Sequence, residues 1–169
     1  VQLYVDGEYM GVYFLTGKIE IGENRIDLKN MAEETEAFNT QPLKDYEVQK
    51  SEKRVWRDLE DMPEDVTGGF ILEYDERDYD PDKARFISNH DLSIVLRSMP
   101  YASRKQVDYI ADYWQDFEDA LYAEDGYNEK GKHYMEYIDA ESFAEQWILQ
   151  ELNTESSLTS SVYFYKNSD

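Results

Sequence analysis

Alternating apolar and polar positions open the chain and predict a β-hairpin. Residues 1–5 alternate in this way, Asp6-Gly7 offers a turn that tolerates positive φ, and residues 8–15 carry the return strand. Further β segments are predicted by short apolar runs bounded by turn residues, at 19–28, 70–75, 85–88, 92–96 and 161–166. The first hundred residues are therefore expected to be rich in strands.

Helical periodicity dominates the remainder of the chain. Ser103 and Gln106 form a capping box at the start of a helix that is predicted to end near Glu124. A second helix is predicted from Asp139, as its N-cap, to about Leu152. A third helix is predicted near 51–61, with Val55, Trp56 and Leu59 facing inward, inside an otherwise polar surface excursion at 30–66.

The order of these elements predicts an α+β fold. An antiparallel, β-rich part at 1–100 is expected to pack on a helical part at 101–169. The 169 residues, with a mass of 20.0 kDa, suit one domain. We expect this domain to be truncated at both ends and to belong to a longer polypeptide, because the sequence begins directly in a strand-like pattern without an initiator Met.

The charge balance narrows the range of partners. Asp and Glu number 38 against 17 Lys and Arg, so the net charge is −21. A phosphate backbone would be repelled, and nucleic acid is therefore not expected as a partner. The chain has no Cys, which excludes thiolate metal sites and Cys nucleophiles. No apolar run reaches about 18 residues, so membrane insertion is not expected.

Glu151 is the first candidate functional residue. It falls on the same helical stripe as Trp147, Ile148 and Leu152, a face that the periodicity predicts to be buried. A buried carboxylate needs a partner or has a function. The alternative is that Glu151 lies in a fraying last turn, in water.

Several common chemistries find no support in the sequence. A Walker-type loop and a G-x-S-x-G elbow are absent, and His90 and His133 are not spaced as a metal pair. Asp78-x-Asp80-x-Asp82 opens like a calcium loop but lacks the sixth-position Gly and the final Glu, so a solvated acidic loop is favoured. Oxygen ligands suited to divalent cations remain near element ends: Glu73, Glu151, Asn153 and Glu155.

Six ordered motifs resemble those of the spore-coat-protein-H-like (CotH) family of atypical kinases. Its NGEYxGVY hairpin, L-T-E-K-I…G-x-N-R-V-x-I segment, GGYLLExD strand, YI…FExALY helix, YIDxxSF turn and QEL…N-x-D…S-x-YFYK ending have similar counterparts here. These lie at 5–13, 15–27, 68–75, 109–122, 137–143 and 150–166. The resemblance therefore covers nearly the whole chain.

The resemblance implies a distantly protein-kinase-like fold and transfer of phosphate from ATP, with Mg²⁺ or Mn²⁺, to secreted or spore-coat proteins. Lys18 would contact phosphate, and Glu73 and Glu151 would orient the nucleotide. Asn153 and Glu155 would stand at the catalytic elbow, with Glu151 and Glu155 as metal ligands. A secreted, cell-surface or spore-coat location and neighbouring domains are implied in the same way.

Three departures from the family pattern predict that this chain transfers little or no phosphate. Glu155 stands where the family has Asp, unless the loop spacing places Ser156 there, and Gly17 replaces the Glu before Lys18. The W-D-x-D metal segment does not occur before Asp169. Glu is one methylene longer than Asp, and phosphoryl transfer is sensitive to displacements of that size.

Two other functions remain open. One is a pseudo-kinase or binding module of a secreted multidomain protein, for which the charge and the substitutions argue. The other is a platform for polysaccharide, built from the chain's 15 Tyr residues.

Overall fold

The computed structural model describes residues 1–13, 17–75, 80–152 and 162–168. Over these residues the chain forms a mixed α+β fold with two antiparallel sheets, and the strands mostly precede the longer helices. The predicted fold class is confirmed. The relation to protein kinases is a separate matter and stays a prediction.

The described strands and helices follow a simple order along the chain. The strands are β1 Gln2–Val5, β2 Glu8–Val12, β3 Val48–Lys50, β4 Arg54–Arg57, β5 Phe70–Tyr74, β6 Arg85–Ile87, β7 Ser93–Leu96 and β8 Val162–Lys166. The α-helices are α1 Met31–Ala37, α2 Arg104–Tyr122 and α3 Ala140–Leu152, and single 3₁₀ turns occupy Leu43–Asp45 and Tyr134–Glu136.

The main sheet has six strands in the order β3-β4-β6-β7-β5-β8, and every pair is antiparallel. Its β8 strand returns from the helical end of the chain and pairs along the full length of β5. The small β1–β2 sheet is the predicted hairpin, with the turn at Asp6-Gly7. Its apolar side chains are largely exposed, so the hairpin adds little to the core.

The core lies between one face of the main sheet and α2. Alternate residues of the central strands point toward the helix, and residues at helical spacing on α2 pack against them. The contributing side chains are Phe70, Leu72, Phe86, Ile94 and Leu96 from the sheet and Val107, Ile110 and Ala111 from α2. The predicted capping box fixes the start of α2, because Ser103 and Gln106 bond each other's backbone amides.

The helix predicted near 51–61 is wrong. Residues 51–53 form a turn, and β4 pairs with β3 on one side and β6 on the other. Ladder bonds to two neighbouring strands outweigh a short helical period, and the β-branched Val55 suits a strand. The part of the 30–66 excursion that is helical is α1, at its opposite end.

The predicted burial of the α3 stripe is also wrong. The helix forms where expected, and Asp139 caps it by accepting from the amides of Glu141 and Ser142. However, Trp147 is 53% exposed and Leu152 76% exposed. A periodic stripe is buried only where another element packs on it, and among the described residues the ring contact to α3 is that of Phe164 with Phe143. Glu151 is accordingly exposed, as the alternative stated.

None of the helices in the described part of the chain has the length and apolar character needed to cross a membrane.

Candidate functional site

A cavity of about 240 Å³ lies on the face of the main sheet opposite α2. One wall is the extended segment from Lys18 to Ile21, and the other is formed by Arg97 and Ser98 at the end of β7. Ile71 of β5 forms part of the lining. The cavity thus joins two regions that are far apart in sequence, near residue 18 and near residue 97.

The backbone around Gly69 sets the position of the wall that Arg97 and Ser98 form. Gly69 has φ +82, and a Cβ there would lie 2.3 Å from the Lys29 carbonyl oxygen. Its carbonyl accepts from the Ser98 hydroxyl at 2.8 Å, and the same hydroxyl accepts from the Ile71 amide at 2.9 Å. β5, the end of β7 and the segment before α1 are therefore locked together at the cavity.

Arg97 is held by two carboxylates of β5. Its Nε donates to Glu73, and its Nη2 donates to Asp75 at 3.0 Å. Asp75 directly follows β5 and lies two residues after Glu73, so the two side chains share a face of the sheet. They accept hydrogen bonds from one edge of the guanidinium. Burial by itself lowers the pKa of Arg97, but the hydrogen bond to Glu73 and the charges of Glu73 and Asp75 together outweigh it, so the pKa is raised.

Glu73 is the buried member of this cluster, with a side chain 3% exposed. An ionised carboxylate at such a position needs strong partners. Arg97 is one of them, and Tyr163, its cross-strand neighbour on β8, is the other. Burial, followed by the hydrogen bond to Glu73, raises the pKa of the Tyr163 phenol.

The raised pKa of Tyr163 predicts that its phenol ionises only in the alkaline range. Tyr163 should ionise above the ordinary phenol value of about 10. Because the pKa is raised in the folded state, its contribution to stability is complete below pH of about 10 and is lost as the pH rises through the folded pKa. Ultraviolet difference titration of the native protein and of Tyr163→Phe should show that the variant lacks a late-ionising phenol. Loss of an early-ionising phenol instead would contradict the assignment.

Lys18 stands on the opposite wall as an exposed cation. Its Nζ lies 2.6 Å from Glu20, and Arg25 also pairs with Glu20, at 3.2 Å. The hydrogen bond from Lys18 lowers the pKa of Glu20, so this carboxylate stays ionised at neutral pH. Exposed pairs of this kind contribute little to stability because solvent screens them, so Lys18 can leave Glu20 at little cost.

The structure brings together two of the five predicted site residues. Lys18 lines the cavity, and Glu73 reaches the same cavity through Arg97. Glu151 does not join them as a buried group, because it is exposed on α3. Asn153 and Glu155 lie outside the described residues.

The described residues do not fit a metal centre. None of the His, Asp and Glu side chains of the described ranges form a group of three placed to hold a cation. Glu73 is already bonded to Arg97. The described residues do not favour a calcium loop at 78–82 either. Asp82 pairs with Lys50, Asp80 pairs with Lys83, and Asp78 lies outside the described residues.

Arg97 is the site residue that the sequence did not indicate. It follows β7 without a motif of its own, and Glu73 lies 24 positions earlier. A usable signal was the pair Glu73 and Asp75 on one face of a predicted strand, since two carboxylates so close together need a cation.

Comparison with known proteins adds no relative. No protein-family model matches the chain, and no significant match was found among curated proteins or solved structures.

Proposed function

We propose that this chain is the nucleotide-binding part of a CotH-type, ATP-dependent protein kinase. The observation that carries the proposal is the convergence of Lys18 and the Glu73–Arg97 pair on one cavity. Lys18 and Glu73 belong to separate motifs of the family resemblance, and Arg97 connects Glu73 with the cavity that Lys18 lines. Cations with spare donors suit the phosphates of ATP.

Phosphate binding is the step that these residues can perform. Lys18 offers an ammonium on a flexible stem, and Arg97 offers a fixed guanidinium. A bound divalent cation would supply charge neutralisation during transfer, but the described residues hold no ligand set for it. We therefore propose nucleotide binding with little phosphate transfer by the chain as it stands, and protein substrates, a secreted or spore-coat location and neighbouring domains for the whole protein.

The test is a thermal melt with ATP and Mg²⁺ or Mn²⁺. We expect ATP at about 100 times its dissociation constant to stabilise the fold by about 2.7 kcal/mol, seen as a raised Tm. Lys18→Met should weaken this stabilisation. Lys50→Met is the matched control, because Lys50 is also an exposed lysine in a close carboxylate pair, at 2.7 Å from Asp82.

Two outcomes would overturn the proposal. An unchanged Tm with ATP and either cation would show that the cavity holds no nucleotide. An equal loss in Lys18→Met and Lys50→Met would remove Lys18 from the site. Transfer of labelled phosphate to a protein substrate should be weak or absent, and robust transfer would refute the expectation drawn from Gly17 and Glu155.

The exposed apolar side chains favour a second candidate, a non-catalytic binding module. Trp147, Ile148, Leu149 and Leu152 of α3 are all more than half exposed, which is unusual for a helix of this composition. Tyr165 of β8 is exposed as well. If this candidate is correct, nucleotide leaves the Tm unchanged and a protein or glycan ligand raises it. Glycan-array binding would single out the polysaccharide platform.

A further inference from the structure

We propose that Arg97 is the main determinant of phosphate recognition in this cavity, and that Lys18 is a secondary contact. This inference rests on the proposed nucleotide-binding function and names the side chain that determines its specificity for phosphate. It follows from three properties of the described residues: the number of unused donors, the rigidity of the guanidinium and the balance of charge.

The cavity contains few polar donors that are still unused. Asn30 donates to Glu33, and the Ser98 hydroxyl donates to the Gly69 carbonyl. Arg97 donates from Nε to Glu73 and from Nη2 to Asp75, and no described residue accepts from its Nη1. The Nη1 group and Lys18 therefore supply the spare cationic donors among the described residues that line the cavity.

Arg97 is also the more rigid of the two cations. Two bonds to one strand fix the plane of its guanidinium, so little conformational entropy remains to be lost when Nη1 meets an oxyanion. Lys18 is 76% exposed and is bonded to Glu20 at 2.6 Å. The Lys18 ammonium retains donors beside its bond to Glu20, but its exposed, flexible stem must be ordered before it contributes, whereas the Arg97 guanidinium is already held in place.

The charges on the two walls of the cavity favour recognition of the anion by positioned hydrogen bonds over general electrostatic attraction. Arg97 with Glu73 and Asp75 carries a net charge of −1, and Lys18 and Arg25 with Glu20 carry +1. The two walls cancel, so an anion gains little from the summed charge. Affinity must come from hydrogen bonds at fixed positions, and these depend on the planar geometry of Arg.

The test measures tripolyphosphate and Mg²⁺-ATP binding by titration calorimetry on the whole chain. Arg97→Lys retains the charge and loses the planar fork, and we expect its affinity for tripolyphosphate to fall about tenfold or more. The matched control is Arg54→Lys, because Arg54 also binds two carboxylates and is 31% exposed, as Arg97 is. The control should bind as the native protein does.

A second measurement avoids any loss of folding in the variant. In the ¹⁵N spectrum of the native protein, tripolyphosphate should shift the Arg97 side-chain resonance and leave that of Arg54 in place. An unmoved Arg97 resonance, or equal tripolyphosphate affinity of the native protein and folded Arg97→Lys, would overturn the inference.

The two probes separate this inference from the proposed function. If ATP binds the native protein and Arg97→Lys equally well, the inference fails and nucleotide binding stands. If tripolyphosphate binds through Arg97 and ATP does not bind, phosphate recognition stands and the nucleotide function fails. If neither probe binds, both are wrong.

Discussion

Arg97→Met is expected to lower the free energy of unfolding by about 3–5 kcal/mol, because it leaves a buried carboxylate without its cation. Glu73 has a side chain only 3% exposed, so water cannot replace the lost partner. Tyr163 remains as a donor, but a neutral phenol compensates an ionised carboxylate only in part. Urea unfolding followed by circular dichroism measures the change.

Arg54→Met is the matched control for this prediction. Both arginines are 31% exposed and both bind two carboxylates, but Asp108 is 34% exposed where Glu73 is 3%. Partners that remain hydrated limit the loss to about 1 kcal/mol or less. Equal losses in the two variants would show that burial of Glu73 is not the source of the effect.

Gly69→Ala is expected to cost about 2–5 kcal/mol, by the sum of two effects. A side chain at φ +82 adds about 1–2 kcal/mol of backbone strain. A Cβ placed 2.3 Å from the Lys29 carbonyl oxygen must in addition push the backbone apart, at about 1–3 kcal/mol. Chemical denaturation of the variant measures the sum.

Gly131→Ala separates the strain from the collision. Gly131 has φ +72, and no atom lies within 4 Å of the position that its Cβ would occupy. Its loss should stay near the strain alone, about 1–2 kcal/mol. If Gly69→Ala costs no more than Gly131→Ala, the close approach of the segment at Lys29 to β5 is wrong, and with it the shape of the cavity.

These two expectations bear directly on the candidate site. Arg97 and Gly69 lie within one hydrogen-bonded corner, in which Ser98 links the Gly69 carbonyl to the Ile71 amide. The corner holds Ile71, Arg97 and Ser98, which line one wall of the cavity, in fixed relative positions. A phosphate site requires that rigidity, since donors recognise an oxyanion only when they are positioned before it arrives.

Much of the fold could be predicted because its signals are local. The turn at Asp6-Gly7, the Ser103–Gln106 box and the Asp139 cap each depend on residues within three positions of one another. Short apolar runs bounded by turn residues predicted β5 and β7 for the same reason. The failure at 51–61 fits this account, since the partners that make β4 a strand lie on β3 and on β6.

The candidate site was predictable only in part. Lys18 and Glu73 were chosen by resemblance; Lys18 lines the cavity, and Glu73 is connected to it through Arg97. Glu151 was chosen by periodicity and lies in solvent. Periodicity reports which side chains share a helix face, but it carries no information on whether another element covers that face.

The sequence by itself determined β1, β2 and β5 to β8, the helix caps, the acidic composition and the order of β before α. The tertiary structure alone decided that Arg97 meets Glu73 across 24 residues, that Lys18 faces them, and that α3 presents its apolar side to solvent. The physical reason is range: caps and turns bond within a few residues, whereas burial and ion pairing depend on which strands the sheet makes neighbours.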